Sequence, residues 1–142
     1  MGRMSDIQRR HESRAPISIL VYSDDPNTRD KVRMAVGPQV GDRDVIWTET
    51  ATHEATIMQV DANRFDLLVL DGEAAKSGGM GIARQLKHEL YECPPVLLLV
   101  GRVGDAWLAT WSEAEAAVAH PLDPFEVKAA VDAFFIESPA SA

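Results

Sequence analysis

Two stretches of this chain are apolar without interruption, Leu67-Leu68-Val69-Leu70 and Val96-Leu97-Leu98-Leu99-Val100. A strand with one wet face alternates apolar and polar residues. A strand that does not alternate must be covered on both sides, as in a parallel sheet sandwiched between helices. The first stretch extends back to Phe65, and three weaker runs accompany the pair: Ile17–Tyr22, Val45–Thr48 and Ala116–Ala119. None approaches the roughly 20 apolar residues that a membrane span needs.

The segments between these runs carry a helical period. Val32, Ala35 and Val36 share a face within Thr28–Val36, and Ala55, Ile57 and Val60 do so within His53–Ala62, where Thr52 is placed to cap. Ile82, Leu86 and Leu90 fall at i, i+4, i+8 in Gly81–Leu90, which Pro94-Pro95 terminates. A short fourth helix beginning near Asp105 sets Trp107 and Trp111 on one face. The last starts at Pro124 and aligns Val127, Val131 and Phe134. Five strands alternating with five helices predict an open α/β sheet with right-handed crossovers, whose chemistry belongs at the carboxyl ends of the strands.

Charge divides the chain. Residues 1–16 hold Arg3, Arg9, Arg10 and Arg14 against Asp6 and Glu12, a net +2, so the remainder carries −10 and the whole chain −8. The segment 1–16 has no apolar period and is expected to be a basic arm, residues 17–136 the folded domain, and 137–142 a short tail. The first residues are too polar for a secretory signal, so a cytoplasmic protein is expected. The acidic balance argues against a nucleic-acid partner. Hydrophobic residues at 46% and charged residues at 25% argue against global disorder. The lone Cys93 excludes an internal disulfide and a cysteine-cluster metal site.

The strand ends hold the chemistry. Ser23-Asp24-Asp25-Pro26 follows the first run, Asp71-Gly72-Glu73 the third, Gly101-Arg102 the fourth, and His120-Pro121-Leu122-Asp123 the fifth. If the first and third strands are neighbours, Asp24 and Asp71 converge. Adjacent carboxylates need a cation or a raised pKa, and an oxygen-rich, water-open site suits Mg²⁺.

In this order and spacing, four pieces resemble the receiver domain of two-component response regulators in its stand-alone, chemotaxis-protein form. They are Ile19-Leu20-Val21-Tyr22-Ser23-Asp24-Asp25-Pro26 with Arg29, Phe65-Asp66-Leu67-Leu68-Val69-Leu70-Asp71 with Gly79 eight residues on, Pro95-Val96-Leu97-Leu98-Leu99, and His120-Pro121-Leu122-Asp123-Pro124. The resemblance covers residues 16–136. It implies a single five-stranded parallel sheet in the order 2-1-3-4-5 with helices on both faces. It also implies phosphoryl transfer to Asp71, and weak Mg²⁺ binding by Asp24, Asp25 and the Glu73 carbonyl.

Several positions depart from the family pattern. Ser23 stands where a first acid is usual, Val100 where a Thr or Ser ends the fourth strand, and His120 where a Lys precedes the proline. Ala117 stands in place of the switch aromatic, and Ala74-Ala75 in place of Met-Pro. An isopropyl group cannot hydrogen-bond a phosphoryl oxygen, and a histidine is mostly neutral at pH 7. Without the hydroxyl and ring that move on activation in the family, the expected function is that of an atypical, phosphorylation-independent receiver. It would be a protein-binding module or accessory subunit, not an enzyme, engaging its partner through Trp107, Trp111, Arg102 and the arm residues Arg9, Arg10 and Arg14. Arginines of the arm suit an acidic partner, and a homodimer through the same face is also open.

A working phospho-receiver served by a histidine kinase at Asp71 is the main alternative. A small aspartyl-phosphate phosphatase is a weaker one, because its motif ends the first strand and wants a lysine. A flavin carrier is disfavoured because Asp24 and Asp25 would repel its phosphate. Gly78-Gly79-Met80-Gly81 does not directly follow a strand, as a dinucleotide loop must.

Overall fold

The computed structural model describes residues 15–74, 78–90, 92–105 and 107–136. The arm with Arg9, Arg10 and Arg14, the tail, and Ala75 lie outside the described residues. In chain order the elements are β1 (Ile17–Tyr22), α1 (Pro26–Val36), β2 (Gln39–Val40), β3 (Arg43–Thr50), α2 (His53–Ala62), β4 (Leu67–Asp71), α3 (Gly79–Glu89), β5 (Val96–Val100), a 3₁₀ turn (Val103–Asp105), α4 (Trp107–Trp111), β6 (Ala116–Ala119) and α5 (Pro124–Phe135).

The sheet runs β2-β3-β1-β4-β5-β6. Its five parallel strands stand in the order 2-1-3-4-5, as expected, with Tyr22 opposite both Thr50 and Leu70 and Asp71 opposite Leu99. The expected five-stranded sheet gains a sixth strand. Gln39–Val40 folds back through Gly41, whose φ of +60 favours glycine, and pairs antiparallel with Arg43 and Asp44. Two residues are too few to show a period, so this edge strand was invisible to pattern.

The unbroken runs are buried on both faces. Leu67 to Asp71 and Val96 to Val100 are all buried. Side chains alternate between two layers. Ile19, Val21, Leu67, Val69, Leu97 and Leu99 pack under α1 and α5 against Val32, Val36, Val127 and Val131. Leu20, Tyr22, Leu68, Leu70, Leu98 and Val100 pack on the opposite face with Val60 of α2 and Ile82, Ala83 and Leu86 of α3. Each such leucine, fully removed from water, contributes roughly 1.5–3 kcal/mol.

Caps fix where the helices begin. The Asp25 carboxylate accepts from the Asn27 N–H ahead of Pro26, and Asp123 accepts from the Phe125 N–H ahead of Pro124. Thr52 caps α2 through the Ala55 N–H at 3.1 Å. Helix α3 starts on glycine because it starts against the sheet: a Cβ on Gly79 would lie 2.7 Å from the Leu70 carbonyl carbon and 2.8 Å from that of Asp71. No described helix is long and apolar enough to cross a membrane.

Candidate functional site

Parallel pairing of β1 with β4 sets Tyr22 opposite Leu70, so Ser23, directly after β1, meets Asp71, the last residue of β4. Both are buried, Asp71 with 3% of its surface exposed. The Ser23 hydroxyl donates to Asp71 Oδ2 at 2.7 Å and accepts from the Asp25 N–H at 3.1 Å. Asp71 Oδ1 accepts from the Glu73 N–H at 3.0 Å and lies 3.2 Å from His120 Nε2. The contact is a hydrogen bond from the imidazole to the carboxylate in the tautomer that carries its proton on Nε2. Both oxygens of this buried carboxylate are therefore satisfied by the protein itself, as burial of a charge requires.

Arg29 holds the loop after β1 in place. Its Nη1 donates to the Ser23 carbonyl at 2.6 Å while its Nε pairs with Glu49 Oε1 on β3 at 3.1 Å. Arg33 joins the same carboxylate through Nε at 3.3 Å. Asp24 is exposed. Burial, then the Asp24 charge, then that of Asp71, raise the Tyr22 hydroxyl above its ordinary pKa.

Around this centre the other expected positions fall as follows. Val100 ends β5, 3% exposed, with its side chain in the α2/α3 layer. Ala117 on β6 packs partly buried against that same layer and presents only a methyl. His120 follows β6, its N–H bonded to the Val100 carbonyl at 2.8 Å, and its bond to Pro121 is cis. Trp107 and Trp111 stand on α4 with 62% and 47% of their surfaces exposed. The Arg84 guanidinium lies 4.8 Å over the Trp111 ring and donates to the Trp111 carbonyl at 2.7 Å. Arg102, at the same end of the sheet, pairs loosely with Asp105 at 3.4 Å.

The acidic set expected for Mg²⁺ comes together only in part. Asp25 caps α1 with its carboxylate, a serine fills the first-acid position, and both Asp71 oxygens already accept hydrogen bonds. Among the described residues no three His, Cys, Asp or Glu side chains gather into a group that could hold a metal. This donor set does not fit a firmly held Mg²⁺, which takes oxygen ligands in near-octahedral array.

Two contacts at the site were not read from the sequence. One is the Ser23 hydroxyl on Asp71, between residues 48 apart. The other is the Glu73 side chain lying over Gly101: a Cβ there would sit 1.9 Å from Glu73 Oε1. A glycine directly after a buried strand is the signal that hints at the second.

No protein-family model matches the chain. It is 51% identical over 115 residues to an uncharacterized response regulatory protein of Mycobacterium tuberculosis, found in two strains, covering 80% of this chain and 86% of that protein. Among solved structures, a putative response regulator from Chloroflexus aurantiacus superposes with a TM-score of 0.72 at 20% identity, over 84% of this chain and 97% of that one. The chemotaxis response regulator CheY4 of Vibrio cholerae gives 0.70 at 16% identity, covering 84% and 98%. The BeF3-activated receiver domain of DrrB, from Thermotoga maritima, gives 0.67 at 25% identity, covering 84% and 97%.

Proposed function

Because the chain belongs to the response regulatory protein family and has the receiver fold, we propose that it acts by binding another protein and is not switched by phosphorylation. The observation that carries this reading is the closed environment of Asp71, whose two carboxylate oxygens are engaged by Ser23, Glu73 and His120. Phosphoryl transfer to an aspartate relies on positioned positive charge and hydrogen-bond donors around the transferred group. Here the β5 end offers the hydrocarbon of Val100, and the side chain facing Asp71 Oδ1 is the imidazole of His120, where the family pattern has a lysine. Val100 and Ala117 also leave no hydroxyl and no ring whose movement would carry a signal across the fold.

The protein then acts as a non-enzymatic module in the cytoplasm, as an accessory subunit or adaptor. Its contact surface includes Trp107, Trp111 and Arg102, since exposed tryptophan and arginine are favoured anchors. A second reading, a working phospho-receiver fed by a sensor kinase, is favoured by one observation. A protonated His120 would set a positive charge 3.2 Å from Asp71 Oδ1.

The test is to incubate the full chain with Mg²⁺ and acetyl phosphate and weigh it intact. The expected outcome is no stoichiometric phosphoryl gain, together with capture of the same partner by wild type and Asp71→Asn. A gain that maps to Asp71, is lost in Asp71→Asn and changes partner affinity establishes the second reading instead.

A further inference from the structure

At the amino end of the sheet, opposite the Asp71 site, a groove of about 650 Å³ opens between the α2–β4 and α3–β5 connections. Its floor includes Val60 and Phe65, both nearly buried. Its rim carries Asp61, Asp66 and Glu92 against Arg64, the one cation among the described residues that line it, and all four are exposed. The chain enters the fold beside this rim. Asp66 Oδ2 accepts from the Ser18 N–H at 2.8 Å, and the Asp66 N–H donates to the Ser18 carbonyl at 2.8 Å. Ser18 and Asp66 stand one residue before the pair Ile19 and Leu67 that opens the β1–β4 ladder, so the chain ahead of Ser18 comes in on the side of Arg64 and Phe65.

Residues 1–14, which precede this entry point, carry four arginines against two acids. We propose that this arm docks along the groove of its own chain, with Arg9 and Arg10 against Asp61 and Glu92 and Ile7 over the apolar floor. Three features select this occupant. The charges are complementary, a net positive segment meeting a net negative rim on a chain that is otherwise strongly acidic. The reach is sufficient: Arg9 and Arg10 lie six and five residues before Ala15, about 20 Å of extended chain. Tethering also makes the contact intramolecular, at an effective concentration on the order of millimolar, so a modest interaction suffices. The acidic surface expected for the arm's arginines is thus present on the chain itself. An external acidic partner would have to displace the arm to use them.

The experiment places a nitroxide on the arm of the isotope-labelled full chain, through Gln8→Cys in a Cys93→Ser background, and reads amide signals by NMR. The expected result is that residues 61–66 and 92–93 lose most of their intensity while Phe125 and Ala129, on α5, keep theirs. Arg9→Glu with Arg10→Glu restores the groove signals, as does Asp61→Lys with Glu92→Lys. Combining all four reversals brings the loss back. Salt at about 1 M, where the Debye length is about 3 Å, also relieves it. Undiminished groove signals, evenly spread broadening, or broadening that survives either charge reversal overturns the proposal. So does broadening seen only between chains, when spin-labelled and isotope-labelled molecules are mixed, because the arm would then occupy a second copy.

Discussion

The two layers that cover this sheet face the same strands, yet they are built differently. On one side α1 and α5, 11 and 12 residues long, pack against each other. Each begins with an Asp-Pro pair whose carboxylate caps the helix. On the other side three unequal pieces share the work. Helix α2 is capped by Thr52, α3 has no side-chain cap, and α4 has five residues, none of them buried. The second layer is also rich in small side chains, with Ala74 and Ala83 buried in its core and Ala114, Ala117 and Ala119 packed partly buried against that core. Capping and mutual packing make the first layer a frame. The second is a thinner cover, and it holds Val100, Ala117 and the exposed tryptophans. A surface meant to engage a partner is better placed on the cover than on the frame, because ordering it costs the fold less.

The sharpest way to break this comparison is to cut one leucine on each face of β5. Leu97 and Leu98 are adjacent, both fully buried, and point to opposite layers. Leucine-to-alanine changes in cores cost about 2–5 kcal/mol, less where the surroundings can collapse. Leu97→Ala, under the frame, should fall in the upper half of that range and Leu98→Ala in the lower, by denaturant unfolding. The reverse order would dismiss the distinction.

The caps come next. Asp123→Ala removes the bond to the Phe125 N–H at 2.8 Å and should cost about 1 kcal/mol. Denaturant unfolding of Asp25→Ala should give a similar loss, and a negligible loss at both would show that the frame owes nothing to its caps.

A third test uses the pH dependence of the cover. Tyr22 lies in its core with a hydroxyl raised above the ordinary value. Its neutral form is favoured more in the folded than in the unfolded chain. The associated stability is complete below the ordinary tyrosine value of about 10 and is lost as pH rises through the raised one. Alkaline titration of thermal stability should show a fall that Tyr22→Phe reduces. An identical fall in both would assign it elsewhere.

The smallest stability effect is expected at Trp107, 62% exposed on α4. Trp107→Ala should shift unfolding by no more than about 0.5 kcal/mol while weakening partner capture. A large loss of stability would make the residue part of the cover and not of a contact surface.

How much of this was legible in the sequence varied with the physics. β1, β5, β6 and α2 have the bounds that apolar runs and the Thr52 cap suggest. β3 runs from Arg43 to Thr50 instead of Val45 to Thr48, because its outer residues alternate and are held by backbone pairing. Helix α1 begins at Pro26 instead of Thr28, set by the Asp25 cap, and α3 at Gly79 instead of Gly81, set by contact with the β4 end. At the site, the residue types at Asp71, Val100 and His120 were readable from the strand ends. That Ser23 turns its hydroxyl onto Asp71 was not, because a contact between residues 48 apart depends on loop geometry that no local pattern encodes.

The polar ends of β4 have one more consequence. A strand that is apolar on both faces loses little polarity match if it slides by one residue, because every side chain still lands in hydrocarbon. Alternation therefore gives this central strand no address. Its two acids supply one: Asp66 fastens to the Ser18 backbone at one end and Asp71 to the Ser23 hydroxyl at the other. A slip of a single position would strand both carboxylates at once. Whatever chemistry Asp71 does or does not perform, it acts as one of two pegs that set the alignment of the strand next to β1.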